Sequence, residues 1–299
     1  MTDDLAPLGG RVLVVAFEGW NDAGEAASGA LRLVLESGDF ELLAELDSER
    51  YVDYQFNRPT VSLDADGVRR LNWPASRIYG PLHDTTAPRD TAVFDAGREL
   101  FLLLGVEPSR SWRGFASEVV DTALAHDVDC IVVLGAMLAD VPHTRPISVF
   151  VSSDDAELRE HLRAERSSYE GPVGILSVLV DAAAHAGIPS VSVWASVPHY
   201  VHNAPSPKAV LAILEALEEL LEIDVPRGTL VEEAIAWESG IDALAAEDDD
   251  MAGYIHQLEQ ARDTVDSPDA SGEAIAKEFE RYLRRRGDHP DEPWRGRDS

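Results

Sequence analysis

Apolar and polar positions recur with two different periods along this chain. Residues 11–17 form an essentially continuous apolar run of strand length, the pattern of a strand covered on both faces. The run passes through a turn between Gly19 and Gly24 into residues 25–36, where Ala26, Ala30, Leu33 and Val34 recur at helical spacing. Similar runs at 99–105, 129–135, 147–152 and 190–197 predict further core strands, and amphipathic stretches at 113–126, 155–165 and 174–186 predict the helices between them. This alternation predicts an α/β fold, a three-layer α/β/α sandwich around a mostly parallel mixed sheet.

Two regions depart from that rhythm. Between about 41 and 81 the runs are short, as at 51–56 and 69–73, and Pro59, Asp66-Gly67 and Pro74 separate them. The Asp66-Gly67 pair between 61–63 and 68–71 predicts a hairpin turn, so this region reads as an antiparallel excursion on the main sheet. The helix predicted over 207–223 starts at Pro207 and carries Val210, Ile213, Leu214, Leu217, Leu220 and Leu221 as one stripe. Beyond it no strand pattern returns. Thr229 and Glu232 suggest a capping box for a helix to about 246. The acidic run 247–250 favours the start of another, with Met251, Tyr254, Ile255 and Leu258 on one side, and a weaker stripe covers 272–285. The organisation expected is a core domain over 1–225, a helical extension over 226–286 and a disordered polar tail over 287–299.

Charge narrows the function classes. The formal net charge of −30 leaves no basic surface for a phosphate backbone or an anionic bilayer, so neither nucleic acid nor membrane is an expected partner. No apolar stretch approaches the ~20 residues that span a bilayer, and residues 1–4 carry no secretory pattern, so a cytoplasmic location is expected. The one cysteine, Cys130, lies within a predicted buried strand and reads as a small core residue.

The turn after the first strand has the context of a phosphate loop but not its chemistry. Gly24 is followed by Glu25-Ala26 rather than Lys-Ser or Lys-Thr, and Glu18, Asp22 and Glu25 ring the turn with carboxylates. The turn then reads in two ways. In the first, Trp20 plugs the layer beneath and Asn21 or Asp22 caps the helix. In the second, Glu18 faces the crevice at the carboxyl ends of the strands, where open α/β sheets bind ligands. Glu107 follows another strand, His199 ends the last one, and His143, Thr144 and Arg145 stand side by side between Pro142 and Pro146, a stiff loop suited to gripping an anion or carboxylate. The topology predicts that Glu18, Glu107, this loop and His199 converge on one rim. The candidate ligand-binding residues are therefore Glu18, Asn21, Asp22, Glu107, His143, Arg145 and His199. No ligand spacing for a metal and no cofactor motif accompanies them.

The string FEGWNDAGEAAS at 17–28 resembles the opening motif of the bacterial and archaeal branch of the proteasome assembly chaperone family. So do 104–112, 134–136 with 142–145, 171–175, and 196–201 through 205–207, in the same order. The resemblance covers roughly 10–225 and is strongest to actinobacterial members, which carry a C-terminal helical segment. It implies a phosphorylase/hydrolase-like three-layer fold and a homo-oligomer, a trimer above all. Some archaeal relatives engage the proteasome through a hydrophobic–Tyr–any tail, whereas this chain ends Gly296-Arg297-Asp298-Ser299.

Three functional readings stay open at this point. One is an oligomeric, protein-binding chaperone or scaffold. Another is a hydrolase- or phosphorylase-like enzyme or binder using the strand ends. The third is a structural oligomer without a pocket.

Overall fold

A strand that is apolar throughout can be buried only between two layers, and that is where β1 (Arg11–Glu18) lies. The computed structural model describes residues 8–64, 66–82, 99–202 and 205–265. After β1 come α1 (Ala26–Ser37), β2 (Phe40–Glu45), α2 (Ser48–Tyr51), β3 (Thr60–Leu63), β4 (Arg69–Asn72) and β5 (Ser76–Pro81). Then follow β6 (Glu99–Val106), α3 (Trp112–Ala125), β7 (Cys130–Ala139), β8 (Val149–Ser152), α4 (Ala156–Leu162), α5 (Ile175–His185) and β9 (Ser190–Pro198). The helices α6 (Pro207–Leu221), α7 (Leu230–Ala245) and α8 (Asp249–Val265) close the described chain.

Among the described residues, seven strands form one sheet in the order β2-β5-β6-β1-β7-β9-β8. The central four, β6, β1, β7 and β9, are parallel, and β5 and β8 run antiparallel to their inner neighbours. Side-chain alternation along β1 divides the core. Leu13, Val15 and Phe17 join Phe101, Phe115 and Leu179 beneath α3 and α5, while Val12, Val14 and Ala16 join Leu31, Ile213 and Leu217 beneath α1 and α6. The result is the three-layer α/β/α sandwich. Each fully buried Leu, Ile or Phe in it contributes roughly 1.5–3 kcal/mol. Cys130 belongs to this core, and burial pushes its thiol up to about 12.

The excursion between β1 and β6 is only partly on the main sheet. β2 and β5 pair antiparallel at its edge, with a register break between Leu42 and Ala44. The 51–56 run is not a strand; Tyr51 ends α2, and a turn follows. The hairpin is real, with Val61 opposite Leu71 and Gly67 at φ 75°, but it stands apart as a second, two-stranded sheet. Every residue of β3 and β4 is exposed.

The apolar stripe of α6 is buried as its spacing requires. α7 packs on α6, and Leu230 enters the same buried cluster. The Thr229–Glu232 capping box does not form; the Thr229 hydroxyl donates instead to Glu233 at 2.7 Å. Asp248 accepts from the amides of Asp250 and Met251 and so starts α8, as the acidic run implied. The helix expected over 272–285 and the tail over 287–299 lie outside the described residues. Among those described, no helix is long and apolar enough to cross a membrane.

Candidate functional site

The turn after β1 is built to return the backbone to the sheet. Gly24 has φ 62°, and a Cβ there would lie 2.8 Å from the Ser206 Cβ. Asn21 offers its carbonyl to the Ala136 amide at 2.7 Å, tying the turn to β7. The buried Asp22 carboxylate accepts from the Ala27 and Ser28 amides at 2.8 and 3.1 Å, which caps α1. Burial still holds the Asp22 carboxyl above its ordinary range. Trp20 does not plug the layer beneath; it is 51% exposed.

Alternation along β1 sends Glu18 to the α1 side, where it pairs with Arg32 at 3.0 Å. The carboxylate that ties this region together is instead Glu107, partly buried just beyond the end of β6. It accepts from the Asn21 side chain at 3.0 Å, from the Ile175 amide at 3.3 Å and from the Trp20 amide at 3.4 Å. One side chain thus joins the ends of β1 and β6 to the N-terminus of α5, where the helix dipole favours negative charge. Burial raises its pKa above the ordinary carboxylate value, against those three hydrogen bonds.

The 142–146 loop grips carboxylates, and they come from the same chain. Arg145 holds Asp263 through two bonds of 2.8 and 2.9 Å and reaches Glu259 at 3.3 Å. Thr144 donates to Glu259 at 2.5 Å. His143 is fully buried, with Nδ1 2.8 Å from the Tyr200 hydroxyl and Nε2 3.1 Å from Asp242. The Tyr200 hydroxyl also accepts from the His143 amide, and burial lifts its pKa to about 12. A neutral tyrosine that accepts there is free to donate to Nδ1, which leaves the Nε2 proton for Asp242. Lys208, one of two lysines in the chain, donates to the His143 carbonyl at 2.6 Å and pairs with Glu238. His199 lies 3.3 Å from Asp140 and edge-on to Tyr254 of α8.

The seven candidates therefore fall into three places. Asn21, Asp22 and Glu107 meet at the ends of β1 and β6. His143, Arg145 and His199 form a rim at the ends of β7 and β9, covered by α7 and α8. Glu18 stands apart with Arg32. Their partners Tyr200, Lys208, Asp242, Glu259 and Asp263 carried no local signal beyond the rarity of lysine and the acidity of the extension. Among the described residues, no group of three or more His, Cys, Asp or Glu side chains is arranged to hold a metal ion. A cavity of about 590 Å³ opens beside Trp20 and Asn21, running between α5 and the segment before it.

The contacts of α8 make a testable claim about pH. The hydrogen bond from Thr144 lowers the Glu259 pKa, and that from Arg145 lowers the Asp263 pKa. Folded values below the unfolded ones mean that these pairs stabilise above the ordinary carboxylate pKa of about 4 and are lost as pH falls through the folded values. Glu107 and Asp22 have the opposite sign, because their raised carboxyls favour the folded state on acidification. Acidification from pH 7 to pH 3 should therefore free α8 before the sheet loosens. Amide exchange corrected for intrinsic rates should show protection lost over 249–265 and kept in β1 and β7. Salt at 1 M should act in the same direction at neutral pH, since these pairs are partly exposed.

The sequence model of the PAC2 family matches residues 16–245. A PAC2 family protein from Streptomyces avermitilis is 45% identical, with 82% of this chain and 99% of that chain covered and a TM-score of 0.72. A proteasome-assembly chaperone homologue from Mycobacterium tuberculosis is 42% identical over the same shares, with a TM-score of 0.69. PbaB of Pyrococcus furiosus, an archaeal proteasome activator, shares the fold at 15% identity, covering 81% of this chain and 94% of its own, with a TM-score of 0.60. No curated protein sequence matches the chain.

Proposed function

The chain belongs to the PAC2 family, and from that premise we propose that it is a protein-binding chaperone or scaffold that works as a cytoplasmic homo-oligomer, a trimer in the first instance. The observation that carries this reading is the β3–β4 hairpin. Cross-strand pairing puts Val61, Leu63 and Leu71 on one face with Arg69 at its end, while Thr60, Ser62, Arg70 and Asn72 share the other. The polar face is internally bonded, Asn72 to Ser62 at 3.0 Å and Arg70 to Asp64 at 3.0 Å. The largely apolar face lies in solvent: Val61 is 50%, Leu63 68% and Leu71 53% exposed.

A lone two-stranded hairpin is marginal in water, and an uncovered apolar face on it gains stability when a protein surface covers it. One relative at 42% identity is a proteasome-assembly chaperone homologue, which makes unassembled proteasome subunits the first clients to test. Sedimentation velocity on the wild type and a Leu63→Glu, Leu71→Glu variant tests the reading. The wild type should sediment as a closed oligomer and the variant as a smaller species with unchanged far-UV circular dichroism. A monomeric wild type that also fails to bind proteasome subunits would remove it.

A further inference from the structure

The cavity beside Trp20 and Asn21 belongs neither to the hairpin nor to the rim that α8 covers, and its walls have a definite chemistry. Its floor is Trp194 on β9, in register with Gly135 on β7. A Cβ at position 135 would come within 2.7 Å of the Trp194 ring, so glycine there lets the indole lie flat across the neighbouring strand. One wall carries Tyr169, whose hydroxyl donates to the Pro172 carbonyl at 2.8 Å. That ring folds over Gly171, where a Cβ would lie 2.3 Å from the hydroxyl oxygen. Both aromatics are thus held in place before any ligand arrives, each against a glycine.

Charge in the cavity has one sign. Its ionisable lining is Asp154, Asp155 and Asp181, with no Lys, Arg or His among the described lining residues. Asp155 caps α4 through the Leu158 amide at 2.8 Å, Asp154 pairs with Arg166 at the surface, and Asp181 on α5, largely exposed, lies 3.6 Å from His185 one turn on. They supply a negative potential rather than a fixed contact. Aromatic faces are also negative, so the two features favour a cation and repel carboxylates and phosphates. The volume of about 590 Å³ suits a molecule of one or two rings.

We propose that this cavity binds a small arylalkyl amine, its ring stacked between Trp194 and Tyr169 and its ammonium toward Asp181. Isothermal titration of the full chain with tryptamine and with indole-3-acetate tests this, since the two share a ring and differ in charge. Tryptamine should bind at least about tenfold more tightly than indole-3-acetate at low salt. Trp194→Ala should weaken tryptamine by about tenfold or more, and Asp181→Asn by a few-fold. Should Trp194→Ala fail to fold, Tyr169→Ala, on a partly exposed loop, takes its place with the same expectation. Three results would overturn the proposal: neither probe binds, both bind equally, or the aromatic variant binds tryptamine as the wild type does.

Discussion

Glu107→Ala is expected to lower the stability of the folded chain by about 2 kcal/mol, and Glu107→Gln by less than about 1 kcal/mol. Alanine leaves the Asn21 amide and the Ile175 N–H without their acceptor at a partly buried junction, at about 1–3 kcal/mol each. Part of that is returned, because the carboxylate is itself costly to bury. Glutamine keeps the oxygen that accepts the two shorter bonds and gives up only the 3.4 Å bond from the exposed Trp20. It also removes a titration. The raised Glu107 pKa stabilises the wild type most below the ordinary carboxylate value, and this contribution is lost as pH rises through the folded value. Urea denaturation at pH 7 and pH 4 should therefore show the wild type gaining on Glu107→Gln at the lower pH. Equal losses for the two variants would mean that Glu107 does not act through its acceptor oxygen.

His143→Ala should cost more, about 3 kcal/mol. The imidazole is fully buried, so its removal leaves a cavity beside Tyr200 and Trp237 as well as a Tyr200 hydroxyl without its ring partner. His143→Phe separates the two contributions. Phenylalanine fills the space and forfeits the bonds to Tyr200 and Asp242, for which about 1–2 kcal/mol is expected. Asp242 is more than half exposed and regains water, so the penalty falls mainly on Tyr200. Chemical denaturation of the two variants gives the ranking, and a phenylalanine as damaging as alanine would assign the whole effect to hydrogen bonding.

The parallel centre of the sheet was legible because β1, β6 and β7 read as near-continuous apolar runs, and β9, though broken by Ser190, Ser192 and Ser196, keeps strand length and β-branched residues. The antiparallel strands β2 and β5 on one side of it were not. β2 mixes apolar with acidic residues on a half-exposed edge, and β5 ends in Gly80-Pro81, so neither stands out from a loop. At the candidate site, residues at strand ends could be named from order alone, but not which of them meet: Asn21 reaches Glu107, whereas Glu18 turns to Arg32. The direction of Glu18 depended on the phase of β1, and that phase is set by the two helix layers rather than by the turn. The carboxylates on the rim were out of reach for another reason. Asp242 lies 99 residues beyond His143, and Asp263 lies 118 beyond Arg145; no local pattern encodes where a helical extension comes to rest.

The strand order has a further consequence for how copies of this chain can meet. Among the described residues, one border of the main sheet is β2, broken in register between Leu42 and Ala44; the other is β8, only four residues long. A bulged border and a stub are poor templates for adding another strand. Among the described residues, neither border of the sheet thus favours filament growth by strand addition.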